Sequence, residues 1–216
     1  MAARQIYWSL RRYMIRRDLL AFAHGGSFGQ APTPANSLAI GISEDSAAGR
    51  AIAHDIAAHG ELDPAVINDR LVAGSRIVHA HAADGSLLAW GWIALPDRPQ
   101  RLLWESGLHI EVPAGVGYLF DFETVSAARN HGLYRQLLDH AARMCYRNGA
   151  KTVGIYCRAD NIASKRGILA AGFTGPLPAQ LLRLGPLFRL SFGGRVRWGL
   201  SMSAIALTDL LSTISL

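Results

Sequence analysis

Six residues near the middle of the chain, Arg129-Asn130-His131-Gly132-Leu133-Tyr134, join a guanidinium, a glycine and the opening of a helical pattern. Leu133, Leu137, Leu138, Ala141 and Met144 recur at the spacing of one helix face. The run before them, Gly117 to Val125, is apolar and β-rich. A strand that feeds a helix through a glycine turn has a specific chemical use. The first helical turn has backbone N–H groups without intrahelical partners, and the helix dipole adds positive charge there. Together they bind phosphate. Gly132 lets such a group approach the backbone. Arg129, at the mouth of the turn, adds a charge-assisted donor. An ordinary βα turn with a surface arginine satisfies the same six residues.

Asp121 and Glu123 interrupt the apolar strand and, at a spacing of two, point to one face. A half-buried carboxylate there is suited to take a proton from an ammonium group. A structural pair bonded to sheet-edge amides or arginine fits equally well. His79 and His81 also share a strand face, but a metal would need further ligands. His109 and Glu111 are on one face of a later strand without a recognisable motif, and no metal is expected. Trp90, Trp92 and Trp104 lie on adjacent strands, where they serve a core or floor a substrate cleft. Cys157 has no readable histidine partner and carries little weight as a nucleophile.

About thirty residues beyond the turn, Asn161-Ile-Ala-Ser164-Lys-Arg-Gly-Ile168-Leu-Ala-Ala-Gly172-Phe173 opens with a capping residue and closes on a glycine. The first segment resembles the R-x-x-G-x-G/A loop of the GNAT (general N-acetyltransferase) superfamily. The second resembles that family's N-x-x-A/S-x-x-x-Y-x-x-x-G-F signature. The two follow in the family's order, with a strand, Thr152 to Cys157, between them. The resemblance implies a mixed α/β, mostly antiparallel twisted sheet, opened between its central strands and flanked by helices. It implies acetyl-CoA as co-substrate, held by Thr124, Val125, Arg129, Asn130, His131, Gly132, Leu133, Tyr134, Asn161 and Ser164. It gives Glu123 and Asp121 the part of catalytic base. Two positions depart from the family. Tyr134 stands where a second small residue is usual, and Ile168 stands where many members carry the Tyr that protonates the departing thiolate.

The elements that must position these residues are legible in outline. Residues 1–36 read as a basic N-terminal helical arm over 4–24 and a Gly/Pro/Ser linker. Residues 37–192 read as the acetyltransferase domain. Within it, residues 37–42 are the first core strand, and 47–73 a helix pair broken near Gly60 and restarted at Asp63-Pro64. A hairpin turns at Ala83-Asp84-Gly85, and residues 102–112 are one further strand. Residues 193–216 read as an apolar tail: a packed helix, an oligomer contact or a membrane-surface element.

With 216 residues, half of them hydrophobic and 18% charged, the chain makes one packed domain. Two cysteines are too few for a disulfide framework, and buried thiols in a reducing cytosol are expected. No stretch is apolar enough to span a bilayer, and Arg4, Arg11 and Arg12 interrupt anything like a secretory signal. The net charge of +6 comes largely from arginines near the two ends. That pattern favours a local role, with peripheral membrane contact through the N-terminal arm, over nucleic-acid binding, which is not expected. The acceptor is read as a small primary amine, with an amino sugar of envelope polysaccharide synthesis as its example, and a homodimer is compatible. The competing readings are a CoA-binding module without turnover and a membrane-surface or partner-binding protein on the same fold.

Overall fold

Apolar runs of three to eleven residues, punctuated by glycine and Asx turns, give this chain more strand than helix. The computed structural model describes residues 14–26, 39–44, 46–59, 62–104, 107–200 and 204–212. The strands are Met14–His24 (β1), Ala39–Ser43 (β2), Arg76–His81 (β3), Leu87–Ala94 (β4), Gln100–Leu103 (β5), His109–Val112 (β6), Val116–Thr124 (β7), Thr152–Arg158 (β8), Thr174–Leu184 (β9), Leu187–Phe192 (β10), Arg195–Leu200 (β11) and Ala204–Ala206 (β12). The helices are Ala47–Ala58 (α1), Pro64–Val72 (α2), Leu133–Arg147 (α3), Ile162–Ala170 (α4) and Leu207–Leu211 (α5).

Nine strands form one sheet in the order β11-β10-β9-β1-β8-β7-β4-β3-β2. Every neighbouring pair is antiparallel except β7 and β8. A second sheet, β12-β6-β5, packs beside it. One face of the large sheet buries the apolar sides of α3 and α4, including Leu137, Leu138 and Ile168. The other face buries α1, α2, the small sheet and α5 around Trp90, Trp92, Tyr118 and Phe120. The expected fold class is therefore the observed one.

Local chemistry sets the helix ends. Ser46 caps α1 by accepting from the Gly49 amide, and Asp63 caps α2 by accepting from the Ala65 amide ahead of Pro64. Gly149 and Gly172, both at φ +88°, end α3 and α4 in the left-handed conformation.

Four expectations change. The described part of the N-terminal arm, Met14–His24, is a strand and not a helix, and it sits between β8 and β9 inside the sheet. Leu19 and Ala23 enter one core while Phe22 enters the other. A strand buried on both faces reads as an unbroken apolar run, which periodicity cannot separate from a helix. Residues 1–13, and the linker from 27 on, lie outside the described residues. The strand at Ala39–Ser43 is the edge of the sheet, half-buried, instead of a core strand. Residues 102–112 do not make one strand: Gln100–Leu103 and His109–Val112 pair as a hairpin, with Gly107 at φ +74° in its turn. Finally, the C-terminal stretch contains the packed helix among its expected alternatives, with Leu207, Leu210 and Leu211 of α5 in the core, but the strands before it belong to the sheets. β11 extends the large sheet, β12 pairs in parallel with β6, and Leu211 packs where a side chain on Gly154 of β8 would stand.

Two features of β7 position the site. It pairs with β8 only from Val116 to Leu119, against Thr152 to Ile155, so the strands part beyond that point. There β7 also bulges against β4: Trp92 faces Phe120 and Trp90 faces Glu123, leaving Asp121 and Phe122 opposite Gly91 alone. Asp121 takes φ +48°, and a Cβ at Gly91 would stand 2.5 Å from the Phe122 ring. Residues two apart in a regular strand share a face. Here Phe120 belongs to one core and Phe122 packs against the other.

Candidate active site

The chain leaves β7 through a single 3-10 turn, Ser126–Ala128, then an extended Arg129. Asn130 follows at φ +66° and Gly132 at φ +75°, and α3 begins at Leu133. The first intrahelical bond runs from the Gln136 amide to the Gly132 carbonyl at 3.1 Å. No side chain caps this helix. Its leading amides therefore stay available for an anion, unlike those of α1 and α2.

A cleft of about 630 Å³ opens over this helix start. Thr124, Arg129, Asn130, Gly132, Leu133, Tyr134, Asn161 and Ser164 all line it, as does Glu123. Its α4 wall pairs the small residues Ala163, Ser164, Gly167 and Ala170 with Arg166. Asn161 holds the start of α4 by accepting from the Ser164 amide at 3.0 Å. The Arg129 Nε donates to the Thr124 carbonyl at 3.1 Å, and its Nη2 lies 3.4 Å from Glu123 Oε1. Two expected residues serve the turn from outside the cleft. His131 donates from Nδ1 to the Arg129 carbonyl at 2.8 Å, and the Val125 amide donates to the Leu88 carbonyl.

Tyr134 bridges the two signature segments. Its ring fills the space left by Gly167, where a Cβ would stand 2.5 Å from Cδ1, and meets Phe122 edge-on at 6.2 Å. Burial pushes its phenol up to about 12, only partly offset by a hydrogen bond with Ser164. The phenol is thus protonated throughout the neutral range. Ile168, by contrast, is fully buried in the core under the sheet and does not line the cleft. The expectation that position 168 faces the reacting group is corrected: α4 turns Ile168 inward and presents 163, 164, 167 and 170 outward.

The two carboxylates do not work from one shared face, because the bulge breaks the alternation between them. Glu123 sits at the cleft beside Arg129. Asp121 opens onto a different cavity, of about 240 Å³, and its Oδ2 is 2.5 Å from Arg70 Nη2. This second cavity lies over the Tyr118 and Phe120 face of β7, with Tyr156 of β8, Trp104 and Leu103 as walls. Of the three tryptophans, only Trp104 lines it. Trp92 is buried beneath the Arg70 guanidinium, and Trp90 stacks on His59 at 5.1 Å.

The remaining candidates separate in space. His79 and His81 face each other, Nδ1 to Nδ1 at 3.2 Å, while His109 and Glu111 belong to the small sheet. Among the described residues no group of three or more His, Cys, Asp or Glu side chains is arranged to hold a metal. Burial pushes the Cys157 thiol up to about 11, which leaves it a poor nucleophile at neutral pH. A hollow of about 620 Å³ between β1, β9 and β10 rivals the cleft in size. It holds no helix start and none of the signature residues.

A sequence profile of the acetyltransferase (GNAT) family matches residues 50–173, more than half the chain. The chain belongs to the GNAT acetyltransferase family. Among solved structures, a GNAT-family acetyltransferase from Colwellia psychrerythraea is similar over 83% of this chain and 56% of its own, at 15% identity and TM-score 0.50. A Drosophila protein is similar over 85% and 57%, at 16% identity and TM-score 0.56. A protein assigned to the GNAT family from Novosphingobium aromaticivorans matches over 80% and 68%, at 14% identity and TM-score 0.54. At these identities the likeness is one of fold. The chain spans little more than half the length of the first two. No curated protein matches it by sequence.

For a GNAT acetyltransferase, several cleft residues were not singled out by the motifs. Arg135 and Arg166 line the cleft with Arg129, giving it three guanidiniums. Arg135 is in the first turn of α3 and Arg166 is beside the Ser164–Gly167 face, so helical spacing from the motif residues would have pointed to both. Gly167 and Phe122 become site residues only through contact with Tyr134. Arg70, from α2, carries no local signal at all.

Proposed function

We propose that this GNAT protein is an acetyl-CoA-dependent N-acetyltransferase acting on a small primary amine. The observation that carries the reading is the uncapped start of α3, entered through two left-handed residues and opening a cleft beside the parting of β7 and β8. The residues present suit the co-substrate. The free amides and the guanidiniums of Arg129, Arg135 and Arg166 are donors for its phosphates. The parted strands offer unpaired backbone groups along an extended arm.

When bound, acetyl-CoA supplies a thioester carbon open to attack by a neutral amine. Glu123, at the cleft and about one-third exposed, is placed to take the proton that the amine must lose. The new N–C bond forms as the C–S bond breaks, and the thiolate takes up a proton. Tyr134 is the protonated phenol in the cleft, on α3 and not at the family's α4 position.

Release of free thiol from acetyl-CoA across a panel of primary amines tests the reading. Amine-dependent release, with matching acetylated product, is expected. Tight CoA binding without release on any amine would support the second reading, a binding module, which the buried Ile168 favours.

A further inference from the structure

We propose that the cavity between α2 and β7 receives the acceptor, and that the acceptor is an amine that also carries a carboxylate on an aromatic or apolar body. This rests on the acetyltransferase reading above. The cavity and the cleft are neighbours across the bulge, since Asp121 lines one and Phe122 the other. An amine held at Asp121 therefore stands two positions along β7 from Glu123, at the border between cavity and cleft.

The chemistry of the lining selects the acceptor. Arg70 is held rigidly: its guanidinium stacks at 5.1 Å on both Trp92 and Phe120, and Nη2 bonds Asp121. Its side chain is 11% exposed, yet Nη1 is buried without a partner among the described residues. The indole N–H of Trp104, also at this cavity, is in the same state. A buried donor left unpaired is destabilising, and more so when charged. An unpaired guanidinium N–H and an unpaired indole N–H at one cavity call for an acceptor group, and a carboxylate meets an arginine with charge-assisted, directional bonds.

Asp121 is 43% exposed and has a second oxygen beyond the one bonded to Arg70. It suits the ammonium end of the same molecule. An Arg–Asp pair offers opposite charges side by side and so complements a zwitterion. The remaining walls are apolar and planar: Tyr118 and Tyr156 lie within 8° of parallel at 6.5 Å, and Trp104 meets Tyr156 edge-on. The volume, about 240 Å³, falls below the roughly 300–1,000 Å³ of drug-sized sites. It fits a single small molecule such as an aromatic or branched α-amino acid. An amino sugar brings hydroxyl groups that accept from these donors but no anion, so it makes the weaker, uncharged bonds with Arg70.

Matched acceptors decide the matter: phenylalanine against phenethylamine, tryptophan against tryptamine, and glucosamine. Turnover with acetyl-CoA is measured for each. Calorimetric binding of N-acetylphenylalanine and N-acetylphenethylamine to the CoA complex is measured alongside. The acidic member of each pair should be favoured at least tenfold, through KM and product affinity. Arg70→Met should erase that preference, while Arg70→Lys, which keeps the charge beside Asp121, should retain part of it. CoA affinity should stay unchanged in both variants. A preference for the decarboxylated amines or for glucosamine overturns the proposal, as does an absence of acid preference in both readouts. Failure of wild-type protein to bind CoA would instead overturn the acetyltransferase reading beneath it.

Discussion

The cleft over α3 and the cavity under Arg70 are built by opposite means. The cleft comes from two contiguous segments, residues 122–135 and 161–170, with its backbone donors set by a helix start and two left-handed residues. The cavity is made of large side chains from α2, β5, the turn after β5, β7 and β8, with no two of its elements joined by a motif. A site for an invariant group such as a pyrophosphate can be specified by local conformation. A site for a particular acceptor must be specified by side chains, and these are free to come from anywhere the fold brings together.

Separation of the two regions gives the largest expected effect. Glu123→Gln should lower kcat by about 10²-fold, the low end for a lost general base, while CoA affinity stays within about twofold. Asp121→Asn should act instead on acceptor KM. Steady-state kinetics beside calorimetry reads both, and a comparable loss of CoA binding in Asp121→Asn would merge the two regions into one.

Next in size is Ile168→Tyr. With Ile168 fully buried, a tyrosine overpacks the core and buries a hydroxyl, at a cost of about 1–3 kcal/mol. The melting temperature should fall and turnover should not rise. A faster enzyme of unchanged stability would mean that position 168 does reach the reacting group.

The division between local and distant information explains what was legible. The β7–turn–α3 unit, the Asn161 cap and the glycine helix ends were readable because each depends on residues a few positions apart. The bulge at Asp121 was not, since it arises from pairing with β4 and from the space over Gly91. The same gap misplaced β1, whose apolar run Leu19 to His24 has no period until its two neighbouring strands are known. Arg70 is the clearest case. Nothing within α2 marks it, and it became a site residue only by stacking on strands β4 and β7.

The smallest expected effect concerns neither region directly and so serves as a control. Burial and the nearby His81 and His140 hold His79 down at about 4. The unfolded chain takes up this proton near pH 6.5, whereas the folded protein resists until about 4. Its contribution to stability is therefore complete above pH 6.5 and lost as pH falls toward 4, a small change because the ring is only half-buried and solvent screens it. His79→Gln, which can still bond Ser43, should show a shallower fall in melting temperature over that window with CoA affinity intact. Equal slopes in the two proteins would remove His79 as the source.

The central claim is that the uncapped start of α3 binds the phosphates of CoA, and a calorimetric titration of CoA tests it most directly. A Cβ at Gly132 would meet nothing nearer than Gln136 Nε2 at 3.9 Å, so a side chain there disturbs the φ of +75° and the approach of an anion, not the protein's packing. Wild-type protein should bind one CoA per chain, and folded Gly132→Val should bind at least about tenfold more weakly, roughly 1.4 kcal/mol. Unchanged affinity in a folded Gly132→Val protein would contradict the claim.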